Sequence, residues 1–97
     1  MQFILIAHDK AGALPLRMAT RPAHLDYCQR TLGKNLVFGG PLLAADGNPR
    51  GSILVVEAAD EAEARRLFEN DPYRSVGLFE DVTISGFRQV FSNGAQV

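Results

Sequence analysis

Cysteine is nearly missing from this chain: Cys28 is the only one in 97 residues. An internal disulfide is therefore excluded, as is a zinc site built from several thiolates. Neither sign of charge dominates, since ten Lys and Arg face eleven Asp and Glu for a formal net charge of −1. No global field then favours nucleic acid or an anionic membrane, and the scattered basic residues argue against a phosphate-backbone partner. Long apolar runs are also lacking. Phe3 to Ala7 and Ile53 to Val56 fall far short of the roughly 20 residues of a membrane-spanning helix. The first residues carry no basic flank of the kind that opens a secretory leader. The expectation is one domain over residues 1–97 in the reducing cytoplasm, with 92–97 as a frayed tail.

What is present is a globular balance, 46% hydrophobic and 22% charged residues, enough for one core. Gln2 to Ala7 is a short, nearly continuous apolar run that suits a strand covered on both faces. Ala13 to Gly33 reads as helix, in two pieces: Thr20 can cap a second start, and Pro22 fits its first turn. Leu25, Cys28 and Leu32 give that helix a buried stripe, with Gly33 at its end. Leu36 to Phe38 starts a second strand that breaks at Gly39-Gly40-Pro41 and resumes over Leu42 to Ala44. Asp46-Gly47-Asn48-Pro49 is a turn, and Gly51 to Glu57 returns antiparallel to that strand.

Asp60 to Glu63 has the form of a capping box for a helix running to about Asn70. Asp71-Pro72 ends it, because the residue before proline is pushed out of the α region. A connection over Tyr73 to Leu78 leads to a long last strand from Phe79 to Phe91. The order is β-α-β-β-α-β: an α+β, ferredoxin-like arrangement with two helices on one face of a four-stranded antiparallel sheet. Strands one and three are apolar in both alternating sets, so one set would face water in a monomer. A second copy covering that face through a two-fold interface makes the expected assembly a homodimer.

Among residues that can do chemistry, His24 lies one position off the apolar stripe, at the edge of the buried face. An imidazole there can serve as general acid or base, or it can simply be a surface or core-edge helix residue. Asp71 can orient that imidazole if the second helix ends near the first one's start, or it can cap the turn before Pro72. Arg17 and Arg21 share a helix face and can receive an anionic oxygen, or they are solvated charges. Gly40 and Pro41 can line a pocket; their spacing is not that of a phosphate-binding loop. Tyr73 and Ser75 are further candidates for ligand contact. His8-Asp9 with His24 and Asp71 is a weak basis for a metal, so no metal is expected. Cys28 reads as packing rather than as a nucleophile.

Arg21-Pro22-Ala23-His24-Leu25, Gly39-Gly40-Pro41-Leu42, Gly51-Ser52, the helix start at Asp60-Glu61-Ala62 and Asp71-Pro72-Tyr73 together resemble the YciI-like (YCII-related) proteins. The resemblance covers nearly the whole chain, with the pieces in order. It implies a ferredoxin-like fold, a dimer of the dimeric α+β barrel kind, and an active site around a histidine and an aspartate, which fall on His24 and Asp71. It also implies cofactor-free proton transfer on a small cyclic or aromatic-derived substrate, since one such relative is a dehydrochlorinase of a chlorinated hydroxyquinol. The reading is a lyase or isomerase; the alternative is a non-catalytic small-molecule-binding or protein-interaction module.

Overall fold

The computed structural model describes residues 1–97. Strand β1 (Gln2–Asp9) leads through a turn into helix α1 (Leu14–Tyr27), which loosens into a π-helical turn over Cys28–Leu32 and a 3-10 turn over Gly33–Asn35. The hairpin of β2 (Leu36–Leu43) and β3 (Pro49–Glu57) follows, then α2 (Glu61–Glu69), the single-turn α3 (Pro72–Ser75) and β4 (Phe79–Phe87). The four long strands form an antiparallel sheet in the order β2-β3-β1-β4. This is the expected ferredoxin-like α+β arrangement.

Parity along the strands decides what the helices cover. Phe3, Leu5 and Ala7 of β1 and Leu54 and Val56 of β3 point one way and are buried against Cys28 and Leu32 after α1 and Ala64 and Phe68 of α2. Burying a large side chain of this kind contributes about 1.5–3 kcal/mol relative to leaving it in water. The opposite face carries Ile4, Ile6 and Ile53, all only partly covered, and the rings of Phe38 and Phe87 in edge-to-face contact at 6.1 Å. Asp60 caps α2 by accepting the Glu63 backbone N–H at 2.8 Å, as its sequence position predicts.

Several local expectations need correction. Helix α1 is one piece, running through Pro22. Proline removes one backbone bond there, to Met18, but Met18 and Pro22 both face solvent and water can satisfy the carbonyl. Thr20 does not cap; its hydroxyl donates to the Leu16 carbonyl at 2.8 Å inside the helix. Strand β2 does not break at Gly39-Gly40-Pro41 but pairs with β3 on both sides of them, its irregularities falling at 36–38 and 42–43. Pro41 is tolerated because β2 is an edge strand, where one N–H need not enter a ladder. Residues 73–75 are helical rather than a plain connection. The last strand ends at Phe87 rather than Phe91, and a short pair follows in which Phe91–Ser92 (β5) meets Ala95–Gln96 (β6) around Asn93 and Gly94, both at positive φ.

Candidate functional site: a buried histidine between two acid-anchored chains

The inward face of α1 is not the Leu25 stripe. Leu25 is 37% exposed, whereas Arg17, Thr20 and His24 are buried, followed by Cys28 and Leu32. The spacing 17, 20, 24, 28 is a regular helical face, but its first three members are polar. Counting only apolar residues therefore set the phase of the helix wrongly. His24, expected half in water, is 8% exposed.

A buried imidazole needs partners, and Asp71 supplies one. Both carboxylate oxygens approach His24 Nδ1, at 2.9 and 2.8 Å. The same Oδ1 accepts the Tyr73 backbone N–H at 2.9 Å, so Asp71 also caps α3. The two roles weighed for Asp71 are thus one geometry: the cap fixes the carboxylate, and the fixed carboxylate holds the imidazole. An acceptor-only carboxylate on Nδ1 places the ring proton there and leaves the Nε2 lone pair free. The ring stacks on Tyr73, centroids 4.0 Å apart and planes 16° from parallel. Cys28 Sγ is 3.6 Å from Nε2 and 4.0 Å from Nδ1. Such similar distances put the sulfur beside the ring rather than in line with either nitrogen lone pair.

A second buried chain starts at the end of β1. Arg17 donates through Nε to Asp9 at 2.7 Å and through Nη2 to Asp9 at 3.1 Å and to the Ser52 hydroxyl at 2.7 Å. Both side chains of the ion pair are almost fully covered, at 4% and 6% exposure. The Arg17 guanidinium carbon sits 4.6 Å from the centre of the Tyr73 ring. In the sequence Asp9 figures only in a weak metal group and Ser52 only in the family resemblance, neither as a partner of Arg17. The available signal was parity, because Asp9 falls in the same alternating set as Phe3, Leu5 and Ala7.

These chains wall a cavity of about 150 Å³ between α1, the β2–β3 hairpin and α3. An apolar cavity of about this size can hold a single benzene ring. Of the residues named as candidates, Arg17, Arg21, His24, Gly40, Pro41 and Tyr73 line it; Ser75 does not. Ser75 is exposed on the far side of α3, bonded weakly to the Asp71 carbonyl at 3.4 Å, because the helical turn rotates it away from Tyr73. Asp71 lies behind His24, outside the lining. Gly39 also lines the cavity, and a Cβ there would sit 2.5 Å from Leu54 Cδ2 and 2.7 Å from the Ile53 carbonyl. Only glycine lets β2 approach β3 so closely at that wall. Of the two arginines, Arg17 is neutralised by Asp9, while Arg21 is exposed and enters no ion pair.

His24, Cys28 and Asp71 place one donor atom each within 4.8 Å of one another, the spacing of a possible metal site. As arranged, Nδ1 is committed to the carboxylate, and burial, helped by the negative charge of Asp71, pushes the Cys28 thiol up to about 11. A cation here would have to displace both protons. His8 and Asp9 do not join this group: His8 pairs with Asp81 at 2.7 Å on the opposite face, and Asp9 is taken by Arg17.

The thiol makes a testable contribution to stability. Its folded value lies above the ordinary 9.0, so between those values the native state holds a proton that the unfolded chain has lost. The stabilisation is fully present below pH 9 and disappears as pH rises through about 11. Denaturant midpoints should decline over that window in the wild type and decline less in Cys28→Ala. Tyr27, raised chiefly by burial, adds a slope of the same sign at higher pH.

The model of the YCII-related domain matches residues 1–88 of the chain. This protein belongs to the YCII-related family. Protein YciI of Escherichia coli is 33% identical over 98 residues, spanning 94% of this chain and all of that protein. A benzaldehyde-derivative biosynthesis cluster protein of Emericella nidulans is 38% identical over 75 residues, covering 69% of this chain and 76% of its own. Among solved structures, 5-chloro-2-hydroxyhydroquinone dehydrochlorinase of Burkholderia phenoliruptrix, bound to 2,5-dihydroxybenzoquinone, superposes with a TM-score of 0.84 at 32% identity. The superposition covers 91% of this chain and 94% of that one. An antibiotic biosynthesis monooxygenase at 13% identity and a TM-score of 0.57 shares the fold. No helix is long and apolar enough to cross a membrane.

Proposed function

We propose that this YCII-related protein is a cofactor-independent lyase or isomerase of a monocyclic, hydroxylated aromatic or quinonoid metabolite. The observation that carries this reading is the Asp71 carboxylate bracketing His24 Nδ1, which turns the basic Nε2 of a buried ring toward a cavity of single-ring size. Nε2 takes a proton from a substrate hydroxyl or activated carbon. The imidazolium formed is stabilised by Asp71, and the electron pair moves into the ring system toward an oxygen or a leaving group. Arg21, the lining arginine without a carboxylate partner, meets the anionic oxygen. Similarity to the dehydrochlorinase supports the substrate class, and its elimination of chloride is one form of this chemistry.

The test supplies purified protein with 5-chloro-2-hydroxyhydroquinone and follows chloride release and the ultraviolet spectrum of the ring. Catalysed chloride release that depends on His24 supports the reading. Saturable binding of the ring without turnover would replace it with a small-molecule-binding module, and neither binding nor turnover would overturn it.

The working unit in this reading is a homodimer in the cytoplasm, where Cys28 remains a free thiol. Ile4, Ile6, Ile53 and Phe38 give the uncovered sheet face its apolar character, which a second copy would shield. Light scattering should report twice the chain mass, and Ile53→Lys should shift it to the monomer mass without unfolding the chain.

A further inference from the structure

Tyr73 is the largest of the fully buried side chains, at 1% exposure, yet it carries a polar hydroxyl. Buried phenols ordinarily find a hydrogen-bond acceptor. Tyr27 does so, donating to the Leu67 carbonyl. The Tyr73 O–H has no acceptor within the chain. Its charged neighbour is Arg17, and a guanidinium can only donate. No polar side-chain atom is sealed away without a partner, so this donor is not shut off from the surrounding space, and Tyr73 lines the same cavity as His24.

The surrounding contacts hold the phenol in place. One face of its ring stacks on His24 at 4.0 Å, and its edge meets Phe79 with centroids 6.1 Å apart. Its backbone N–H is bound by Asp71, so the residue that orients the base also anchors the phenol. Arg17, locked by Asp9 and Ser52, places a positive charge beside it.

We propose that Tyr73 is a second catalytic residue, the hydrogen-bond donor to the substrate oxygen that becomes negative when His24 Nε2 removes a proton. The inference rests on the acid–base reading of the site given above. In the step, the bond from hydrogen to the substrate's oxygen or carbon breaks and the Nε2–H bond forms. The released pair delocalises onto a ring oxygen, and that oxygen accepts the Tyr73 O–H without further transfer. Asp9 and Ser52 act through Arg17 as positioning residues. Burial raises the phenol's pKa against the opposing charges of Arg17 and Arg21, which keeps its proton available for donation. A donor fixed in advance in a dry site is worth more than the same group in water, because it need not reorganise as charge develops.

The probe is 2,5-dihydroxybenzoquinone, followed by its visible absorption, with wild type, Tyr73→Phe and Arg21→Gln compared by titration. Phenylalanine keeps the ring stacked on His24 and removes only the donor. A retained melting temperature and a retained low-field Nδ1–H resonance would show that the fold and the His24–Asp71 bond survive. Tyr73→Phe should weaken binding by about 10- to 100-fold, the loss of one hydrogen bond to a charged oxygen, and move the band of the bound quinone toward its position in water. Wild-type affinity with an unshifted band in Tyr73→Phe would overturn the role of Tyr73 while leaving the acid–base reading standing. Absence of wild-type binding would overturn both.

Discussion

His24→Asn should lower turnover by about 10²- to 10⁴-fold, the usual contribution of one positioned acid–base group. Asparagine is shorter and its amide can still donate toward Asp71, but it offers no basic nitrogen to the cavity. The fold should tolerate the change. What is lost is one stack on Tyr73 and a charge-assisted hydrogen bond, together about 1–3 kcal/mol against a typical domain stability of about 5–15 kcal/mol. The decisive comparison is kcat for chloride release beside the urea midpoint of the same preparation. A large fall in kcat with a modest fall in midpoint supports a reacting group; undiminished kcat removes His24 from the mechanism. Asp71→Asn should also lose activity, because an amide can turn its N–H toward Nδ1 and reverse the tautomer.

The largest effect on stability should come from Asp9→Ala. Arg17 would keep its buried position with no carboxylate beside it, and removing one partner of a buried pair costs about 3–5 kcal/mol. For a domain of this length each kcal/mol lowers the melting temperature by roughly 4–8 °C, so the variant should be near the limit of folding. Replacing both partners with apolar residues, Asp9→Leu with Arg17→Met, should restore much of the loss, since no buried charge then remains. Asp26→Ala provides the contrast. The Arg30–Asp26 pair is as short, at 2.7 Å, but its side chains are 81% and 60% exposed, and such pairs contribute at most about 1 kcal/mol. Equal midpoints for Asp9→Ala and Asp26→Ala would show that burial does not set the value of the Asp9–Arg17 pair.

Much of the architecture was legible because strands and helices announce themselves through local chemistry. The Asp60 cap, the turn at Asp46 to Pro49 and the parity of β1 and β3 each depend on neighbours in sequence. One group of mistakes shares a cause. Pro22, Gly39 and Pro41 were read as interruptions, since each is locally unfavourable inside a helix or strand. The structure accommodates them where water or a neighbouring backbone removes the penalty: Pro22 on the wet side of α1, Pro41 on the edge strand, and Gly39 where β3 leaves no room for a side chain.

The site divides the same way. The His24 and Asp71 side chains stood out by type, and the family pattern joined them, but the bond between them spans 47 residues and could not be deduced from spacing. Arg17 lines the cavity and is also bound to Asp9 and Ser52, so Arg21 is the lining arginine without a carboxylate partner. The sequence offers no independent reason to choose Tyr73 or Ser75 as a ligand contact, and the helical turn over Pro72–Ser75 leaves only Tyr73 in the cavity lining.

The amino-acid order by itself determined the succession of elements, that strands one and three are apolar in both alternating sets, and which few side chains are capable of proton transfer. Those properties follow from periodicity and functional-group chemistry, both local. Only the packed molecule decided that α1 turns a polar face inward, that Asp71 serves α3 and His24 together, and that Tyr73 is enclosed with an unused donor. Each of those outcomes depends on how distant polar groups satisfy one another once water is excluded, and that matching exists only when the helices are seated on the sheet.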